Sequence, residues 1–152
     1  MKAFKIVIIL LNLYLGGFMI YGSLNKFKPS SKPTEIIEKV QKGEEVAPNE
    51  EVLKIKNYVF GLKQSGFFWQ FLGLAELFAG LLLISQVCSR IGAVLVLPIT
   101  INIFLFHLFL EPHELGELIL TLTFLIANII LIAFSFKIWK PLLFDKGILK
   151  FN

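Results

Sequence analysis

Few residues of this chain could do acid–base chemistry, and those few sit in hydrocarbon company. The stretch LPITINIFLFHLFLEPHELGEL, from Leu97 to Leu118, is almost continuously apolar yet contains Asn102, His107 and Glu111. His107 and Glu111 are four residues apart, so on a helix they share a face and could accept and pass a proton. Glu76 stands alone in a second apolar stretch, GFFWQFLGLAELFAGLLLI, with Gly73 three residues before it and Gly80 four after. Asn12 and Asn128 lie in two further apolar runs. Amides do no acid–base work, but they hydrogen-bond across helix contacts.

Metal and thiol chemistry are poorly supplied. His107, Glu111, His113 and Glu114 offer four donor side chains within eight positions, but HxxxE followed by HE matches no established zinc spacing. A solvated acidic turn is expected there, with no metal. Cys88 is the single cysteine, so neither an internal disulfide nor a C-x-x-C redox pair can form. Nothing in the sequence is built to hold haem, flavin or an iron–sulfur cluster, which disfavours an independent redox enzyme.

The solvent around these residues decides what they are for. Of the 152 residues 56% are hydrophobic, and the mean hydropathy is +0.76. Four apolar runs, 6–24, 67–87, 91–110 and 115–136, each approach the ~20 residues that cross a bilayer as a helix. They lack the polar face of a soluble core helix. The expected fold class is therefore all-α: an integral membrane four-helix bundle forming one domain over 1–152. Its environment is the lipid bilayer. The net charge of +4 comes from lysines interleaved with glutamates, so no basic stripe suggests nucleic acid. Lys2 and Lys5 precede the first run as in a signal peptide, but no A-x-A-like cleavage site follows it, and a retained first span is expected.

Residues 28–66 make a long first loop. Pro29, Pro33, Gly43 and Pro48 divide it into two short helical pieces. In the second, Asn49 is a candidate N-cap, and Val52, Ile55, Val59 and Leu62 line one face. Such an amphipathic helix belongs on the bundle or bilayer surface. With four spans the termini share a side. The sides carry seven and eight Lys plus Arg, but the short 3–4 turn is acidic, with Glu111, Glu114 and Glu117. Short loops near span ends weigh most in the positive-inside rule. Both termini are expected in the cytoplasm and the first loop outside, in a bacterial-type inner membrane.

Buried polar residues at membrane depth each need a partner or a purpose. Counted along the spans, Glu76 and Asn102 fall roughly eight or nine residues from the outer end, at one level on neighbouring helices. Asn12 and Asn128 fall roughly twelve or thirteen deep, again at one level, so their amides are expected to pair. Lys26, His107 and Glu111 fall near the outer rim. Gly73 and Gly80 should let a neighbouring helix approach the Glu76 face, and Trp69 continues that face outward. Pro98 frees the carbonyl of Val94 and is expected to kink the third span. Glu76, Asn102 and His107 are thus candidates for one polar path from the outer face, with Lys26 and Glu111 at its mouth. Structural hydrogen bonding between helices is the competing reading.

Three segments resemble the DoxX family of small four-span membrane proteins: GSLNKF closing the first span, GFFWQFLGLAELFAGLLLI, and RIGAVLVLPITINIFLFHLFLEP. Lys26, Glu76, Arg90 and His107 match the polar pattern of that family by position. Gly22 precedes Lys26 by four residues, a longer spacing than is usual there, and the long first loop resembles only a subset of the family. The resemblance implies the fold, the membrane and an association with quinone-linked oxidase or other membrane redox complexes. No cofactor is evident in the residues themselves, and a quinone is the one the resemblance brings in. Three classes of function follow: an accessory or binding subunit of a redox or envelope complex, a scaffold with no ligand chemistry, and, less favoured for want of repeats and broken helices, a small transporter.

Overall fold

Along each apolar run the residues that turn inward recur every three or four positions, and they mix large apolar side chains with small and polar ones. A computed structural model of the chain describes residues 2–28, 38–39, 41–43, 47 and 50–143, and their secondary structure is helical. The elements are α1 (Lys2–Lys26), α2 (Glu50–Gln64), α3 (Phe68–Ile84), α4 (Ser89–Leu110), α5 (Leu115–Phe134) and α6 (Phe136–Leu143). Pro29, Pro33, Pro48 and the expected cap Asn49 lie outside the described residues.

Helices α1, α3, α4 and α5 form the bundle. Successive neighbours pack in the order α1–α3–α4–α5, and a slighter contact between α5 and α1 closes it. The inward faces follow helical spacing: Ile8, Asn12, Leu15, Met19 and Ser23 on α1, and Gly73, Glu76, Ala79, Gly80 and Leu83 on α3. Ala93, Val96 and Thr100 on α4 meet Phe124, Ala127, Asn128 and Leu131 on α5. Phe18 stacks on Phe124 with ring centroids 3.9 Å apart. Outward, Phe71, Leu74 and Phe78 are more than half exposed, an apolar coat that only lipid would cover.

Glycine sets the helix separations. A Cβ on Gly92 of α4 would stand 3.0 Å from the carbonyl oxygen of Ala79 on α3, so those backbones touch. Gly16 and Gly80 bring α1 and α3 together in the same way. The expectation that Gly80 opens the Glu76 face to a neighbour is met by α1.

Three helices are individually long and apolar enough to cross a membrane: Ala3–Lys26, Ser89–Leu110 and Leu115–Phe134. Helix α3 has 17 residues and reaches spanning length only together with α2, which bends away from it by 89°. It ends before the expected boundary at 87. Gln86 adopts a left-handed φ of 59°, and the Ser85 hydroxyl accepts the N–H of Cys88. That conformation cannot continue a helix. Helix α4, in contrast, continues through Pro98 to Leu110.

Helix α2 is the amphipathic helix of the first loop. Val52, Ile55, Val59 and Leu62 are half-buried against α3 and α4, while Lys54, Lys56 and Asn57 are exposed. Glu50 and Lys54 pair at 2.8 Å one turn apart; the hydrogen bond and charge of Lys54 hold the Glu50 carboxyl below its usual range. Perpendicular to α3, this helix runs along the membrane plane if α3 crosses it.

Candidate functional site

Lys26 is the last residue of α1, and Gly73 decides where its side chain goes. A Cβ on Gly73 would stand 3.1 Å from the Cβ of Lys26 and 3.3 Å from the Phe27 ring. The missing side chain leaves a channel on α3 along which the Lys26 stem lies, toward the interior. Its ammonium reaches Glu76, three residues further along α3, and donates to both carboxylate oxygens at 2.9 and 2.7 Å. Glu76 is 3% exposed and Lys26 15%. An ion pair that deep is held by mutual neutralisation. Removing one partner of such a pair typically costs about 3–5 kcal/mol, because the other charge is stranded.

Trp69 lies one turn outward of Gly73 on the same face. The Lys26 ammonium is 5.4 Å from its ring centroid, and the ammonium of Lys63, from the end of α2, is 5.1 Å from it. The indole thus takes two cations on its π system, an attraction that strengthens with desolvation. Glu76 balances Lys26, while Lys63 has no carboxylate partner among the described residues. Among the described residues the cluster thus holds two cations and one carboxylate beside an aromatic ring, at the end of the bundle where α2 folds over.

The other candidates lie elsewhere. Asn102 was expected at the level of Glu76 inside the bundle, but it is exposed, and its Oδ1 accepts the Tyr58 hydroxyl of α2 at 2.9 Å. The cause is rotation: Val96 and Thr100 define the inner face of α4, and two further residues turn Asn102 about 200° away from it. The single polar path through Glu76, Asn102 and His107 is therefore not formed. His107 does meet Glu111 one turn on, with Nδ1 2.7 Å from Oε2. The ring N–H is not aligned on that oxygen, so the contact is close without being a formed hydrogen bond.

Asn12 and Asn128 are both buried, but their amides take other partners. Asn12 donates to the Gln86 side chain at 3.1 Å, and Asn128 donates to the Ala93 carbonyl at 3.0 Å. The Oδ1 of Asn128 has no partner among the described residues. Equal depth is no guarantee of pairing where a nearer acceptor is available, here the α3–α4 turn for one amide and the α4 backbone for the other. Among the described residues no three His, Cys, Asp or Glu side chains converge as metal ligands.

Lys63, Tyr58 and Gln86 are absent from the sequence-derived set. Only Trp69 carried a signal, its place seven residues before Glu76 on one helical face. The profile of the DoxX family matches residues 7–108, more than half of the chain. The chain belongs to the DoxX family. The matched region holds every member of the Lys26–Glu76–Trp69–Lys63 cluster and ends just after His107, before α5. It is a multi-pass membrane protein by family and by helix composition. No curated protein and no solved structure matches the chain.

Proposed function

We propose that this DoxX protein is an accessory, ligand-binding subunit of a membrane redox or envelope complex. It resides in the inner membrane with both termini cytoplasmic, and the Lys26–Glu76 cluster opens to the outer side. The observation that carries the reading is the pairing itself: a half-buried ammonium on a buried carboxylate, under an indole that also takes Lys63, which has no carboxylate partner among the described residues. Ammonium donors beside an aromatic face suit an amphiphile with a flat ring and carbonyl oxygens, and a quinone is the member of that class we favour. His107 and Glu111, at the same end on α4, are assigned to proton exchange at the rim. Asn102 is assigned to anchoring α2 through Tyr58.

A scaffold role is the second reading. It is favoured by one observation: both oxygens of Glu76 are taken by Lys26, so the pair can act as a clamp between α1 and α3. The test is gentle purification of the wild type and of Glu76→Gln from native membranes, followed by quinone extraction and identification of co-purifying proteins. A ligand site predicts quinone in the wild type and a several-fold loss in the variant. Unchanged quinone and unchanged partners would leave the clamp as the explanation.

A further inference from the structure

About 30 Å along α1 from Lys26, at the other end of the bundle, a cavity of about 470 Å³ opens between the start of α1, the α3–α4 turn and the end of α5. Lys5, Arg90 and Ser89 line it together with the apolar Ile8, Leu131 and Phe134, and the buried Asn12, bonded to Gln86, and Ser135 add polar groups to its wall. Neither cation has a carboxylate partner among the described residues. Helices α1 and α4, the α3–α4 turn, and residues 118–143 of α5 and α6 contain no Asp or Glu at all. Lys137 and Lys140 of α6 add two more cations at this end. The first turn of α4 also begins here, with Ser89 and Arg90 in the lining, and Cys88 before it makes no side-chain cap to the first N–H groups.

We propose that this cavity binds an anionic phospholipid, its headgroup held by Lys5 and Arg90 and an acyl chain running along Ile8, Leu131 and Phe134. Charge chooses the headgroup: a basic pocket between membrane helices, with no carboxylate paired to its cations among the described residues, attracts anionic lipid. The wall chooses a lipid over a soluble phosphate, because the cavity lies in the seam between α1 and α5. That seam is the slightest of the four helix contacts around the bundle, and at this end it is bordered by the Phe4 and Phe134 rings, 5.3 Å apart, an apolar edge for an acyl chain to lie along. Bound there, the lipid completes the one side of the bundle that the protein closes weakly.

The experiment uses the full-length protein in a neutral detergent. Phosphatidylglycerol and phosphatidylcholine of identical chains are added, and retained lipid is counted by native mass spectrometry; a parallel arm adds inorganic phosphate and reads thermal stability. The wild type should retain phosphatidylglycerol preferentially, and Lys5→Gln or Arg90→Gln should each weaken retention about fivefold. Ile9→Trp, at the cavity rim, alters no charge and should also displace the lipid. Lys54→Gln, on exposed α2, should leave retention unchanged. Equal retention of both lipids, an undiminished Arg90→Gln, an equal loss in Lys54→Gln, or stabilisation by inorganic phosphate matching that by lipid would each overturn the proposal.

Discussion

Gly16 on α1 and Gly80 on α3 face each other so closely that a Cβ on either would stand 2.9 Å from the other's carbonyl oxygen. The obstructing atoms are backbone, together with Ile84 and Ile20 side chains at 2.9 Å. No rotamer change can relieve a clash with backbone, so α1 and α3 would have to separate. Gly80→Ala should destabilise the bundle by about 1–3 kcal/mol, the usual range for overpacking. A Cβ on Gly17, one residue along, would meet nothing within 4 Å. Gly17→Ala should therefore be silent or mildly stabilising. Thermal unfolding in detergent checks both, and equal effects at the two positions would refute the close approach.

Lys26 and Glu76 should respond unequally to loss of the partner. The Lys26 stem starts at the helix end, so without Glu76 its ammonium can swing out to the interface. Glu76 is fixed mid-helix at 3% exposure and has no such escape. Lys26→Met should accordingly cost more, about 3–5 kcal/mol for a stranded buried charge, than Glu76→Gln. Comparing unfolding midpoints of the two variants checks this, and a larger loss in Glu76→Gln would contradict the geometry.

What the sequence revealed and what it hid follow from the same cause. Periodicity of apolar and small residues is local, so the bundle helices, the α2 face and the Gly73–Glu76–Gly80 stripe were all legible. Helix ends shifted by a few residues: hydropathy does not register a turn such as the one Gln86 makes with φ 59°. Partnerships across 44 to 74 residues, Tyr58 with Asn102 and Asn12 with Gln86, leave no trace in one sequence. Depth along a span places the Lys26 Cα near the rim, where α1 ends, whereas the ammonium sits at the end of a long side chain that Gly73 directs inward.

The bond from Tyr58 to Asn102, with the Tyr58 ring 5.4 Å from that of Phe106, fastens α2 to α4. It is exposed, so its net worth is small, about 0.5–1 kcal/mol. Tyr58→Phe should leave global stability nearly unchanged while amide exchange across residues 50–64 accelerates. Exchange that is unaltered there would show that packing alone retains the helix.

Cys88, the single cysteine, allows a direct test of topology. It lies in the α3–α4 turn, at the cationic end with Lys5 and Arg90. A membrane-impermeant thiol reagent should leave it unmodified in intact cells and label it in inverted vesicles. In a Cys88→Ser background, a cysteine at Lys42 of the first loop should give the opposite pattern. Labelling of Cys88 from outside would reverse the assigned orientation.

The central claim is that the Lys26–Glu76 pair serves a ligand and not the fold alone, and the double variant Lys26→Met/Glu76→Leu tests it most directly. Replacing both members of a buried ion pair by apolar residues of similar size is often neutral or stabilising, so the bundle should survive with its unfolding midpoint preserved. The deciding measurement is the quinone extracted per chain from protein purified out of native membranes. Quinone should be present in the wild type and several-fold lower in the equally stable double variant. The same quinone content in both, or none in either, would contradict it.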